Sequence, residues 1–429
     1  MRKKLLEFLK SLLLLLLIPV ILTLTLMAMP ERILTQTPWL ASVLRPFAGL
    51  FELDEAELTY TEPASAATLV AGAAQPVAIV LRTPEGQSSL QYSFSKLDTA
   101  YEQLGSLLAK ALDSADAETA EECEVQALYD AIAGGSSVCF RFPCELPPQL
   151  LGAWLKVRAP EQDGAQWYVL LQKQEQTELY LLGKQCIRYR TELRRQALSD
   201  ALQLSVPDGS SLALEHTQGA SAALDAMSVI SPDAPEVFTA AAENPCDVRF
   251  VSALASKLGF NPYADTRYTD AGGTTFFTET DSILSVSAQG LLTLRVNQPQ
   301  ERFESALAEL PEQVETVREL LSELTAECIG EARLYLSSCF VRDGRTVCRF
   351  SYYLDGIEIA SGGTAAEAVF EGKNLIQLQL LLRSYRETTD SPRLLPPEQA
   401  AAGLTARSEL RLLYVDDGTD TLRVNWMYK

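Results

Sequence analysis

Ser337–Gly363 reads "SSCFVRDGRTVCRFSYYLDGIEIASGG". Two Asp-Gly pairs, Asp343-Gly344 and Asp355-Gly356, each stand between runs of apolar and β-branched residues. Asp-Gly suits a two-residue type I′ turn, because both central residues of that turn need a positive φ. The stretch therefore predicts two successive tight hairpins of one antiparallel meander. With Asp343-Gly344 as the turn, Arg342 faces Arg345, Val341 faces Thr346, Phe340 faces Val347 and Cys339 faces Cys348. Hydrogen-bonded and non-hydrogen-bonded pairs alternate outward, so Cys339 and Cys348 form a non-hydrogen-bonded pair with Cα atoms about 4.5 Å apart. That is at the short end of the disulfide range, roughly 4.4–6.8 Å. The register admits a disulfide between Cys339 and Cys348. It equally admits two free thiols on a buried face, and a slip of one residue would abolish the pairing.

Outward from this hairpin, the chain repeats an order of helix followed by strands. "PQERFESALAELPEQVETVRELLSEL" predicts a long helix before the meander, and "SELRLLYVDDGTDTLRVNWMYK" a closing hairpin after it. "LPPEQAAAGLTA" starts a helix with Pro396 or Pro397 in its first turn. Upstream, "DVRFVSALASKLGFNPY" is a helix closed by Gly259, followed by a four-strand meander in "TRYTDAGGTTFFTETDSILSVSAQGLLTLRV". Nearer the N-terminus, "PVAIVLRT" and "SSLQYSFS" pair across a turn. Leu97, Tyr101, Leu104, Leu107, Leu108 and Leu112 mark an amphipathic helix by their spacing. "ECEVQALYDAIAGG" is a second helix, "SSVCFRFPCELPPQLLGAWL" a strand, turn and short helix, and "QWYVLLQKQEQTELYLLGKQCIRYRTEL" two or three strands. The expected class is α+β, with antiparallel meander sheets and packed helices rather than a βαβ series.

The first 30 residues set the compartment. Arg2, Lys3, Lys4 and Lys10 precede an uncharged run from Ser11 to Met29, near the ~20 residues needed to cross a bilayer core. Pro19 lies inside it, which a membrane helix tolerates. The basic flank places the N-terminus in the cytoplasm and the rest of the chain outside. A cleaved signal peptide would have a shorter apolar region and a small-x-small exit; "LMAMP" has none. Leu12, Leu16, Pro19, Leu22 and Leu26 are candidates for contact with another membrane helix. The expected organisation is a tail and anchor at 1–30, a juxtamembrane stalk at 31–66, an α+β domain at 67–216, a linker at 217–245, and helix-plus-meander modules at 246–300 and 301–429.

The chain has 429 residues and a formal net charge of −20. The basic residues before Pro30 outnumber the single acid there, so the acidity belongs to the outer part. That balance disfavours nucleic acid, whose phosphates need clustered Lys and Arg. His216 is the one histidine, so any His-based nucleophile system must converge on it; a plain strand-end histidine is the alternative. No C-x-x-C, G-x-x-x-x-G-K or G-x-G-x-x-G occurs among the eight cysteines and 23 glycines. "GGSS" at 134–137 and "DAGG" at 270–273 are therefore not phosphate cradles. "DDGTD" at 416–420 lacks the spacing and distal Glu of a calcium loop and reads as a turn. Glu121 and Glu122 are one acidic pair among many. No catalytic, cofactor or metal residue is assigned.

Several stretches together resemble the YycH/YycI family of membrane-anchored extracytoplasmic regulators of a cell-wall-monitoring two-component system in low-GC Gram-positive bacteria. They are "VAIVLRTPEGQSSLQYSFSKLDTAYEQLGSLLAKAL", "GGSSVCFRFPCELPPQLL", "NPYADTRYTDAGGTTFFTETDSILSVSAQGLLTLRV" and "LRLLYVDDGTDTLRVNWMYK" with its late Trp426. The layout is similar to YycH, and the closing hairpin resembles YycI and PepSY-like modules. The resemblance implies a non-enzymatic, single-pass protein without a cofactor. Its expected partners are a sensor histidine kinase, a companion membrane regulator, or both. The alternative from a different class is an extracytoplasmic binding module for a cell-wall fragment or a lipid, which a deep apolar pocket would favour.

Overall fold

The computed structural model describes residues 74–83, 85–203, 206–216, 223–402 and 409–428. The tail and anchor at 1–30, with Leu12, Leu16, Pro19, Leu22 and Leu26, and the stalk at 31–66 lie outside the described residues. Among those described, no helix is long and apolar enough to cross a membrane.

The N-terminal half is built on seven strands. They are β1 (Ala78–Arg82), β2 (Ser88–Gln91), β3 (Glu121–Glu122), β4 (Ser137–Leu146), β5 (Ala165–Gln172), β6 (Gln176–Gly183) and β7 (Cys186–Arg194). Their order in the sheet is β2-β1-β4-β5-β6-β7-β3, with every neighbour antiparallel. Helices α1 (Phe94–Asp113), α2 (Val125–Gly134), α3 (Pro148–Leu155) and α4 (Arg195–Gln203) punctuate it. Both faces are covered. Ile79, Leu81, Val138, Phe140, Tyr168 and Leu170 point to one core, while Val80, Cys139, Trp167, Val169 and Leu171 point to another with α2. This explains why "VAIVL" and "WYVLL" are continuous apolar runs rather than alternating ones. Helix α1 buries Leu97, Leu104, Leu107, Leu108 and Leu112, each contributing roughly 2 kcal/mol of burial. Helix α4 follows β7 without a break and was not read from the sequence.

After a two-stranded ribbon of β8 (Ser211–Leu212) and β9 (Val229–Ile230) comes the larger sheet. It contains β10 (Ala240–Glu243), β11 (Tyr268–Thr269), β12 (Thr275–Thr278), β13 (Ser282–Val286) and β14 (Leu291–Val296). It continues with β15 (Arg333–Arg342), β16 (Arg345–Leu354), β17 (Ile357–Ser361), β18 (Ala366–Glu371), β19 (Asn374–Leu381) and β20 (Ser384–Glu387). The last strands are β21 (Leu410–Asp416) and β22 (Thr421–Tyr428). The order is β11-β12-β13-β14-β19-β18-β16-β17-β21-β22-β10-β20, with β15 paired to β16 off that path. Only β17–β21 is parallel among these pairs. Helices α5 (Val248–Lys257), α6 (Leu310–Thr325) and α7 (Pro397–Ala401) complete the seven α-helices of the described residues. The class is α+β with antiparallel sheets.

Asp343 and Gly344 take φ of 54° and 75°, and Asp355 and Gly356 take 41° and 82°. Both are turns with two positive φ values, and the β15–β16 register is the one counted from the first turn: Arg342 opposite Arg345 and Cys339 opposite Cys348. A bulge between Leu336 and Ser338 shifts the pairing only beyond that point.

Three boundaries differ from the sequence reading. Residues 240–243, in the segment read as a linker, form β10 and pair with β20 and β22. The division at 300/301 is crossed by one sheet, because β14 pairs with β19. The long helix read over 299–324 begins at Leu310 instead. Pro311 is accommodated in the first turn, where its missing N–H costs nothing. The described residues all belong to one compact unit, and one hydrophobic core joins Ile79 and Leu104 to Phe350, Leu378 and Val424.

Candidate functional site

The β15–β16 hairpin ends in an exposed tip. Among the described residues β15 pairs with β16 alone, and beyond Cys339 it carries Phe340 at 36% exposure and Val341 at 72%. Arg349 lies over the Phe340 ring, 5.2 Å from its centroid. Across the sheet, Arg349 pairs with Glu367 at 2.7 Å and Arg345 with Glu371 at 3.2 Å. Arg342 and Arg345 face one another at the turn. Charged residues at a sheet edge oppose unwanted strand pairing, so these arginines shield the apolar pair.

Inside the tip, the Sγ atoms of Cys339 and Cys348 are 3.1 Å apart and not bonded. Cys348 is buried and Cys339 half-buried. The Cys348 thiol beside it, and then burial, push the Cys339 thiol far above its usual range. Cys144 on β4 is near enough to feel Cys339; burial first, and Cys339 second, push it up to about 12. Its Sγ points to the Leu336 carbonyl at 3.4 Å. A second facing pair was not legible in the sequence. Cys123 donates its N–H to the Cys186 carbonyl at 2.9 Å, one step beyond the β3–β7 register. No tight turn links those strands, so no count along the chain could reveal it. Burial also raises Cys139 and Cys328 to about 12 and Cys246 to about 11. Their thiols stay protonated at neutral pH, unlike a catalytic cysteine's.

The remaining candidates are scattered. His216 Nε2 is 2.8 Å from Ser211 Oγ, but among the described residues no group meets its other ring nitrogen, which a triad requires. Glu121 pairs with Arg188 and Glu122 is exposed on β3. Gly134 ends α2, and Asp270 accepts the Thr274 N–H at 2.8 Å in the β11–β12 turn. In "DDGTD", Asp416 is engaged by Arg383 and Asp417 by Thr419; the segment is the β21–β22 turn. Among the described residues, no cluster of three or more His, Cys, Asp and Glu could hold a metal.

Two recesses flank these elements. A cavity of about 30 Å³ lies among Gln75, Phe142, Cys144, Trp154, Arg318 and Leu336, room for about one water. An open recess of about 590 Å³ is lined by Thr266, Thr278, Glu279, Asp281, Gln300 and Arg302, a polar set rather than an apolar one. Near it, Tyr268 is exposed and stacks on Phe276 with ring centroids 4.9 Å apart.

Charged side chains tie the N-terminal half to the larger sheet. Arg141 pairs with Glu409, and Arg411 bridges Glu409 and Glu358. Burial pushes the Arg141 guanidinium below its usual range, and its charge rests over the Trp167 ring at 5.7 Å.

The fold is similar to the crystal structure of YycH from Bacillus subtilis, with a TM-score of 0.52. The match covers 85% of this chain and 94% of that chain at 12% sequence identity. At that identity the likeness is one of fold: the chain has a YycH-like fold. No family model matches the chain, and no curated protein matches it.

Proposed function

We propose that this protein is a membrane-anchored extracytoplasmic regulator that tunes a sensor histidine kinase by protein–protein contacts. The observation that carries the reading is the YycH-like fold over 85% of the chain, together with the basic flank and uncharged run of residues 1–30. The family that the sequence resembles works beside a kinase and a companion regulator. Localisation to the cell membrane, with the N-terminus inside, follows from the positive-inside rule.

A helix carrying Leu12, Leu16, Pro19, Leu22 and Leu26 offers a lateral packing surface to a second span. The protein changes kinase output only if it contacts the kinase's two states differently. The test is chemical crosslinking in native membranes followed by pull-down of the full-length chain. Recovery of a histidine kinase or a companion membrane regulator supports the proposal. Recovery of wall precursors or lipid alone would replace it with the binding-module reading. Exchanging Ser11–Met29 for an unrelated apolar helix, with export intact, then asks whether the span is a contact surface; unchanged kinase output would remove that role.

A further inference from the structure

We propose that Cys339 and Cys348 are a thiol–disulfide modification site, at which a small disulfide-bearing oxidant closes a cross-strand disulfide that clamps the β15–β16 tip. This goes beyond the regulator reading and does not depend on it. The two residues face each other in register, with sulfurs 3.1 Å apart. They occupy a non-hydrogen-bonded position, where Cα atoms about 4.5 Å apart fall within the bridging range. Closure therefore needs rotation about side-chain bonds and no shift of the backbone.

Access is one-sided. Cys348 is buried while Cys339 is half-buried beside exposed Phe340 and Val341, so the oxidant meets Cys339 first. The Cys339 thiolate attacks one sulfur of the small disulfide and releases one small thiolate. The Cys348 thiolate then attacks the Cys339 sulfur of the mixed disulfide and releases the second. Two protein thiols are oxidised and one small disulfide is reduced to two thiols. Because the neighbouring Cys348 thiol and burial hold the Cys339 thiol protonated, exchange is slow at neutral pH and quickens as pH rises.

The bond has something to hold. Distal to Cys339, β15 is paired on one side only among the described residues, and its end sets Arg342 opposite Arg345, a like-charged pair offset only by exposed ion pairs to Asp343 and Glu371. Reduced, the tip opens readily; oxidised, it is a covalently closed ten-residue loop.

The experiment uses the full-length chain with oxidised glutathione or with dithiothreitol, followed by limited trypsin digestion at Arg342 and Arg345 and peptide mapping. The expected result is a Cys339–Cys348 linkage, a mass loss of two hydrogens, and tip cleavage at least about tenfold slower in the oxidised protein. Cys339→Ser, at the half-buried position, should abolish that redox difference while cleaving like the reduced protein. The proposal is overturned if both cysteines stay alkylatable after oxidation at pH 8.5 (about the thiol's ordinary pKa), or if Cys339 maps to Cys144 instead. It is equally overturned if the linkage forms and the cleavage rate does not change.

Discussion

Asp98 on α1 and Arg333 at the start of β15 are joined by two parallel hydrogen bonds of 2.8 and 2.7 Å, although 235 positions separate them. The Arg333 guanidinium also covers the Phe94 ring at 4.1 Å. Helix α1 is thereby fastened to the larger sheet by a planar fork that lysine cannot reproduce. Both groups keep some solvent contact, so the pair is worth about 1 kcal/mol rather than the larger value of a buried one. Arg333→Lys is expected to lose most of that. A double-mutant cycle with Asp98→Asn, read by urea unfolding, should show coupling of about 1 kcal/mol; additive effects would contradict the assignment.

The second fastening is at the helix N-terminus. Ser93 makes no side-chain capping bond, and the Phe94 N–H is instead taken by Asp355 Oδ1 at 2.8 Å. Asp355 belongs to the β16–β17 turn, so a hairpin residue caps a helix 261 positions upstream. Asp355→Ala should cost about 1 kcal/mol, as loss of a cap does. Gly356, beside it, has φ +82°, and a Cβ there would stand 2.1 Å from the Tyr92 carbonyl oxygen. Gly356→Ala combines left-handed strain with a backbone clash and should cost about 3 kcal/mol. Unchanged thermal stability of the alanine variant would show that this close approach is not required.

Arg383 and Asp416 form a buried ion pair, with Arg383 also donating to the Thr419 carbonyl and Tyr385 donating to Asp416 at 2.8 Å. Removing one charge strands the other, at a cost of about 3–5 kcal/mol. Asp416→Asn is therefore expected to destabilise far more than Asp417→Asn in the adjacent exposed position. The ranking is read from urea midpoints, and equal midpoints would refute it.

Burial, then Asp355 and Glu331, raise the Glu387 carboxyl above its usual range. The folded state binds that proton more tightly than the unfolded chain, so the native state loses stability as pH rises from the ordinary glutamate pKa, about 4.3, through the raised folded value. Below that window both states are protonated and nothing is lost. Glu387→Gln should match the wild type near pH 3.5 (below both values) and exceed its stability at neutral pH. A variant less stable than wild type at neutral pH would reverse the sign and reject the account.

Elements whose partners are next in the chain were legible. The Asp-Gly pairs specify their turns, and the turns specify the register that brings Cys339 to Cys348. Leucine spacing marks α1, and Gly259, at φ +76°, closes α5. The Ala-rich strand β10 was not legible, because three alanines and a glutamate between loops are too few to carry a period of their own. It becomes a strand only when β20 and β22 flank it.

By itself, then, the sequence determined the local hairpins, the helix faces, the acidic balance and the uncharged N-terminal run, all of which depend on neighbours a few residues apart. Tertiary structure decided that β17 runs parallel to β21, that β14 joins β19 across the boundary drawn between modules, and that Cys123 meets Cys186. It also decided that Asp355 caps α1. The physical reason is that these contacts close loops of tens to hundreds of residues, and their geometry is set by which apolar faces bury one another rather than by any turn the chain spells out.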